Sequence, residues 1–184
     1  MKALRGAIGV AAIVAPALHV LTDAMEWWQG GFTPAQLWLN YAAFIPMAWL
    51  LLGFCAVRSP PLGTLALAGA ILYGAAFTYF AFTTLYALVE RIADYATLWS
   101  RLGGVYTVHG ALMVAGGAMF AWDAWRSRAL PRLAVALFAA GLAVNLALAL
   151  LPAPDMLQTA GSALRNAGLV AMGWALIART ASAA

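Results

Sequence analysis

The sequence contains few charged residues. Asp, Glu, Lys and Arg make up 9% of its 184 residues, whereas 65% are hydrophobic and the mean hydropathy is +0.88. A soluble globular domain has about 25% charged residues, so the composition excludes a soluble fold. The net charge of +4 comes from basic residues scattered along the chain rather than gathered in a patch, and we therefore expect no nucleic-acid partner.

Cysteine and lysine are almost absent. Cys55 is the one cysteine, so neither an intrachain disulfide nor a CxxC site can form. Lys2 is the one lysine and lies at the terminus, which excludes a Schiff base inside a membrane. The sequence also lacks the P-loop, GxSxG, HExxH, CxxCH and multi-histidine desaturase patterns. These absences argue against nucleotide hydrolysis, ordinary serine hydrolysis, c-type haem and di-iron chemistry.

Long apolar stretches dominate the rest of the chain. Each is long enough to cross a hydrocarbon core of about 30 Å. Lipid cannot satisfy backbone polar groups and the stretches show no period-2 alternation, so they predict helices rather than barrel strands. The predicted spans cover residues 5–28, 34–57, 62–90, 103–125, 131–151 and 156–179, with an interfacial helix at 91–102. We therefore predict an all-α, polytopic integral membrane protein, with residues 1–184 forming a single six-helix transmembrane domain.

The basic residues predict the orientation of this bundle. An even number of spans places both termini on one side, and basic residues favour the cytoplasmic side. The side with the termini would hold Lys2, Arg5, Arg58, Arg126, Arg128, Arg132 and Arg179. The opposite side would hold Arg91 and Arg101. We predict a multi-pass protein of the cell (inner) membrane with cytoplasmic N and C termini.

Three ionisable residues stand at the end of the first span. His19, Asp23 and Glu26 are spaced i, i+4 and i+7, which places them within about 60° of arc on one helix face. Ionisable groups in a membrane are costly and usually face the protein interior or a water-filled cavity. This segment therefore predicts a polar pocket.

Every other span adds polar side chains to the same half of the membrane, towards the non-cytoplasmic surface. These residues are Asn40, Tyr79, Thr83, Glu90, Tyr106, His109, Asn145, Gln158, Arg165 and Asn166. The opposite half has almost none. The segregation predicts one outward-facing cavity shared by all six spans. Arg165 cannot lose its charge by deprotonation, so at this depth it needs an anionic ligand or one of the carboxylates Asp23, Glu26 and Glu90.

The first functional hypothesis is acid–base catalysis on an isoprenoid, sterol-like or acyl lipid that enters between helices. It requires no cofactor. One catalytic group would donate a proton and another would accept one. The catalytic candidates are His19, Asp23, Glu26, Glu90 and His109. The substrate-binding candidates are Asn40, Tyr79, Thr83, Tyr106, Asn145, Gln158, Arg165 and Asn166.

Three alternatives stay open. His19 and His109 could be the axial ligands of a b-type haem beside a quinone site, with Gly110, Gly116 and Gly117 making room for the ring. The His19–Asp23 pair could start a metal site, although this spacing is common by chance. A transporter or accessory subunit would bind a small solute or a lipid in the same cavity. The expected partners are the lipid bilayer and a lipid-like small molecule, and a homo-oligomer or a membrane-complex partner also stays open.

Overall fold

The computed structural model describes residues 2–58, 60–151 and 155–181, and the secondary structure in these ranges is entirely helical. The helices are α1 (Lys2–Gln29), α2 (Pro34–Val57), α3 (Thr64–Val89), α4 (Tyr95–Ser127), α5 (Arg132–Leu150) and α6 (Asp155–Ala181). Within the described residues, five of them, α1 to α5, are long and apolar enough to cross a membrane. The structure thus confirms a helical, membrane-embedded protein, whereas a sixth crossing by α6 stays a prediction.

The six helices form a closed ring. Each helix packs against its neighbour in the chain, and α6 returns to pack along α1. The connections between them are short, so neighbouring helices run antiparallel. The α1–α2, α3–α4 and α5–α6 connections therefore share one end of the ring. We call the half at this end, formed by residues 17–45, 76–113 and 142–168, the polar half.

Packed aromatic rings close the other half of the ring. Phe54, Phe120 and Phe138 are fully buried. The Phe120 ring centre lies 6.4 Å from that of Phe54 and 6.3 Å from that of Phe138. These rings fill the interior where α2, α4 and α5 meet.

Glycine allows close approach of α3 and α4. A Cβ atom added to Gly116 would lie 2.6 Å from the Gly69 carbonyl oxygen, and one added to Gly69 would lie 2.5 Å from the Gly116 carbonyl oxygen. The backbones touch at this point, as small residues permit in membrane helices.

A carboxylate from α4 caps the start of α3. Gly63, at the N-cap position of α3, supplies no side-chain hydrogen bond. Instead the backbone N–H of Ala66 donates to Oδ2 of Asp123 at 3.0 Å. A negative charge here also complements the positive end of the helix dipole. The contact links the two helices at the end opposite the polar half.

The segment predicted as an interfacial helix is the bent beginning of α4. Asp94 caps the helix by accepting a hydrogen bond from the Thr97 backbone N–H at 2.7 Å. Leu102 then departs from helical geometry, with φ −122° and ψ 20°, which marks a kink. Residues 95–102 and the rest of α4 are therefore continuous in sequence but change direction at Leu102.

Candidate functional site

Arg165 of α6 occupies the middle of the ring. Its side chain is 2% exposed. Nη1 donates to Sδ of Met113 on α4 at 2.7 Å, and Cζ lies 5.7 Å from the centre of the Phe77 ring on α3. Since α6 itself packs against α1 and α5, these contacts show that the guanidinium reaches across the bundle.

Gly141 of α5 explains why the Arg165 backbone can lie so deep. A Cβ atom at Gly141 would overlap the backbone of Arg165. A glycine at this position therefore brings α6 close to α5. The close approach fixes where the arginine side chain begins.

Asp23 lies beside His19 and Glu90 lies beside Arg101, and neither carboxylate is at ion-pair distance from Arg165. Its charge acts on His19, Asp23 and Tyr73, but none of these groups is bonded to it. The Nε atom is buried without a hydrogen-bond partner in the described part of the chain. Direct pairing with Asp23 or Glu90 is thus absent from the geometry, and the alternative prediction of an anionic ligand stays a prediction.

His19 is held between an amide and a carboxylate. Its Nδ1 lies 3.2 Å from Nδ2 of Asn166, and its Nε2 lies 3.4 Å from Oδ1 of Asp23. The amide NH₂ group only donates, so Nδ1 is the acceptor and a neutral imidazole carries its proton on Nε2, facing Asp23. The Phe44 ring packs edge-on at 4.8 Å between ring centres. The imidazole therefore fixes the position of the Asp23 carboxylate.

Two further polar groups are buried without partners. His109 is 1% exposed, and neither ring nitrogen has a hydrogen-bond partner among the described residues. Its ring is packed against Phe80 at 4.0 Å and Tyr106 at 4.6 Å between ring centres. The Tyr73 hydroxyl, fully buried on α3 one turn below Phe77, likewise has no partner in the described residues. Burying such groups unpaired is costly, which points to a ligand.

Amide and hydroxyl side chains tie α1 to α2 around this centre. The Thr22 hydroxyl donates to the His19 carbonyl oxygen at 2.8 Å and lies 3.2 Å from Oδ1 of Asn40. Nε2 of Gln36 donates to the Thr22 carbonyl oxygen at 3.4 Å. Asn40 therefore helps to hold the α1 segment that carries His19.

A second set of polar side chains connects the remaining helices. Nδ2 of Asn145 donates to the carbonyl oxygen of Gln158 at 3.1 Å and to its Oε1 at 3.3 Å, which joins α5 to α6. On the α3–α4 side, the buried Thr83 lies against Tyr106. These four predicted residues are thus placed around the Arg165 region, but chiefly in contacts between helices.

The structure leaves Glu90 and Tyr79 outside the buried cluster. Glu90 follows the last turn of α3, is exposed, and lies 3.7 Å from Arg101 at the surface. Tyr79 is 44% exposed on the outer face of α3. Glu26 is half-buried one turn beyond Asp23 on α1, and its charge acts on Asp23 and Tyr106.

The sequence did not indicate Tyr73 or Met113 as site residues. Met113 follows His109 by four residues, so the helical period already places both on one face. Its role as an acceptor for Arg165 requires knowing that α6 lies across from α4. Nothing in the sequence around Tyr73 distinguishes it from a packed core residue.

The packing does not favour a bis-histidine haem. The Phe77 ring centre lies 6.4 Å from that of His19 and 5.2 Å from that of Phe80, which in turn contacts His109. Phenyl rings thus link the two imidazoles where a macrocycle would have to lie. The space beside two of the three glycines predicted to make room for the ring is already filled: Gly69 packs against Gly116, and Leu142 packs against Gly117. The described residues also contain no group of three His, Cys, Asp or Glu side chains suited to a metal.

A gap separates α4 from α5 in the polar half. Gly117 of α4 is in tight contact with Leu142 of α5. Gly110 lies seven residues earlier and so on the same face, yet a Cβ atom there would meet nothing within 4 Å. On α5, Leu146 and Leu150 are 43% and 76% exposed. The two helices therefore diverge towards the polar end, beside His109.

An apolar groove of about 510 Å³ lies elsewhere, between α1 and α2. Gly6, Val10, Val14 and Pro46 are among its lining residues, and it is open on the outer side of the bundle. It offers no group able to transfer a proton or bind a charge. We therefore place the candidate site at the buried polar cluster and not in this groove.

Comparison of the chain with models of known protein families, with curated proteins and with solved structures gives no match.

Proposed function

We propose that this protein carries out acid–base catalysis on a lipid-like substrate inside the membrane. The observation that carries the proposal is the buried Asn166–His19–Asp23 arrangement beside the Arg165 guanidinium. A carboxylate oriented by an imidazole, which is itself oriented by a third group, has the organisation of a proton-transfer site.

Asp23 is the group that exchanges a proton with the substrate. One of its oxygens lies 3.4 Å from Nε2 of His19, and its side chain retains 17% exposure, which leaves the carboxylate partly accessible. Asn166 and His19 are positioning residues because both ring nitrogens of His19 are occupied by Asn166 and Asp23. His109, whose ring nitrogens have no partner within the described chain, is the second proton carrier.

Aromatic rings exclude water around these groups. Phe44 of α2 and Phe77 and Phe80 of α3 lie within 5.2 to 5.6 Å of one another, measured between ring centres, and pack against His19 and His109. Charges interact more strongly in such a low-dielectric environment. The same rings suit the hydrocarbon of an isoprenoid, sterol-like or acyl substrate, which would enter through the α4–α5 gap.

The proposal includes six membrane crossings with both termini in the cytoplasm and the polar half towards the other side. The excess of basic residues at the end with the termini supports this orientation. A reporter that is active only in the cytoplasm, fused to the C terminus, should be active. If a reporter that is active only outside the cytoplasm is active when fused to the C terminus, the proposed orientation is wrong.

Deuterium incorporation provides a test that does not require a known substrate. The full-length protein in lipid nanodiscs is incubated with a total membrane lipid extract in D₂O, and the lipids are analysed by mass spectrometry. Proton transfer to or from a lipid should produce a species that gains deuterium or changes mass. Asp23→Asn should abolish this species, and Asn166→Leu should slow its formation by about 10²-fold or less, as expected for a lost positioning contact.

Asp94→Asn is the matched control for Asp23→Asn. Asp94 lies before the first turn of α4, outside the cluster, and asparagine caps a helix about as well as aspartate. This variant should leave the deuterated species unchanged. A wild-type protein that alters no lipid, or an Asp23→Asn variant as active as the wild type, would refute the catalytic proposal.

A further inference from the structure

We infer that the ligand of the polar half is a carboxylate on a single hydrocarbon chain, bound through its head group by the Nε edge of Arg165. This inference builds on the proposed function by naming a substrate class. Its tail would leave the bundle through the gap between α4 and α5.

The need for an anion follows from the burial of Arg165. Its guanidinium stays charged at any accessible pH. It is 2% exposed, neither Asp23 nor Glu90 is at ion-pair distance, and its Nε has no hydrogen-bond partner within the described residues. A sulfur acceptor and an aromatic ring are its nearest polar and π contacts, and neither carries a negative charge. An anionic ligand supplies the missing charge.

The free edge of the guanidinium suits a carboxylate. Nη1 is occupied by Met113, which leaves the Nε–H side, where Nε has no partner among the described residues. On this side the Nε and Nη2 hydrogens are parallel and match the two oxygens of a carboxylate. The buried, unpartnered Tyr73 hydroxyl, which the Arg165 charge also reaches, is a third donor.

A single negative charge fits better than two. The donors comprise one cation and one neutral hydroxyl, and the charge of the same cation also acts on Asp23, which lies beyond ion-pair distance. A phosphate monoester would bring a second negative charge close to Asp23, where like charges repel. This charge balance favours a carboxylate over a phosphate.

The α4–α5 gap gives the tail its path. Gly110 leaves open space on the α4 face that points to α5, at the level of His109 and one turn from Met113. Leu146 of α5 is 43% exposed on the same half. A linear chain can pass between these helices into the bilayer.

Binding of oleate tests the inference. The delipidated full-length protein in detergent is titrated with oleate, oleyl alcohol, acetate and lysophosphatidic acid, and adducts are measured by native mass spectrometry. Oleate should bind at least about tenfold more tightly than each of the other three, as expected for charge-assisted hydrogen bonds combined with a buried chain. Arg165→Met should weaken the binding of oleate by about tenfold or more. Arg101→Met changes an exposed arginine and should leave the binding of oleate unchanged.

Two further variants keep the test decisive if Arg165→Met does not fold. Tyr73→Phe removes one hydroxyl and should weaken oleate by about threefold to tenfold. Gly110→Leu fills the gap and should weaken oleate but leave the weak binding of acetate unchanged. If oleyl alcohol binds as tightly as oleate, the carboxylate is not recognised, and if acetate binds as tightly, the tail contributes nothing; either result would refute the inference. Tighter binding of lysophosphatidic acid than of oleate would show that the site prefers a phosphate, which would also overturn it. If oleate fails to bind while Asp23-dependent deuterium incorporation persists, this inference falls and the proposed function stands.

Discussion

Replacing Arg165 by methionine should stabilise the ligand-free protein. The charged side chain is buried, and its contacts are one hydrogen bond to sulfur and one aromatic ring. The aromatic contact contributes about 0.5–2 kcal/mol, whereas the effective cost of burying an ion is several kcal/mol. Replacement of buried ionic groups by apolar side chains of similar volume stabilises by about 1–4 kcal/mol.

The expected change is large enough to measure by thermal unfolding. For a chain of this length, 1 kcal/mol corresponds to roughly 2–4 °C in Tm. The Tm of delipidated Arg165→Met should therefore exceed that of the wild type by about 2–16 °C. Added oleate should raise the Tm of the wild type but leave that of the variant unchanged, because a ligand stabilises only a state that binds it.

The opposite result would identify a structural ion pair. If Arg165 were already neutralised by Asp23, removing one partner would destabilise the protein by about 3–5 kcal/mol. The double variant Asp23→Asn/Arg165→Met would then be more stable than either single variant. A fall in Tm combined with this rescue would refute the argument for an external anion.

Three further predictions concern packing and capping. Gly116→Ala should lower the free energy of unfolding by about 1–3 kcal/mol through overpacking against the α3 backbone. Gly110→Ala on the same helix should be neutral or stabilising by up to about 1 kcal/mol. Thermal unfolding of both variants distinguishes the loss of the close α3–α4 contact from the general effect of replacing a helical glycine. Asp123→Ala should cost about 0.5–2 kcal/mol, since it removes the cap on the Ala66 N–H; Asp123→Asn, which keeps an acceptor, should cost less. Hydrogen bonding to Thr97 lowers the pKa of Asp94, so its contribution is present above the unfolded pKa of about 3.9 and is lost as the pH falls through the lower folded pKa. Asp94→Asn should therefore reduce the acid-side loss of Tm between about pH 5 and pH 2, and an unchanged acid-side loss would contradict this role.

The helical period was sufficient to predict the α1 part of the site. His19 and Asp23 share one face, and the structure places them in contact. Tyr79 and Thr83 of α3 were both predicted as substrate-binding residues, but only Thr83 is buried. Helix α3 is apolar on all sides, so its sequence does not reveal which side faces the bundle. The buried face includes Tyr73, which the polar pattern alone could not distinguish.

The surroundings of Arg165 depend on the order of the helices in the ring. Its depth in α6 follows from counting residues, but its contacts with Met113 and Phe77 require α6 to lie across from α4 and α3. Sequence spacing carries no information on which spans face each other. For the same reason Glu90 was assigned to the site from its side of the membrane alone, although its helix ends at the surface beside Arg101.

The distribution of buried polar atoms without partners is the strongest sign that the interior binds something. In the described residues these atoms include the ring nitrogens of His109, Nε of Arg165, the Tyr73 hydroxyl and the side-chain oxygens of Asn145 and Asn166. They come from four helices, and those of His109, Asn145, Arg165 and Asn166 lie in the polar half. A bundle selected for stability alone would replace such groups with apolar ones, since each costs about 1–3 kcal/mol when left unpaired. Their retention around a single cation and an oriented carboxylate is explained if a ligand satisfies them together.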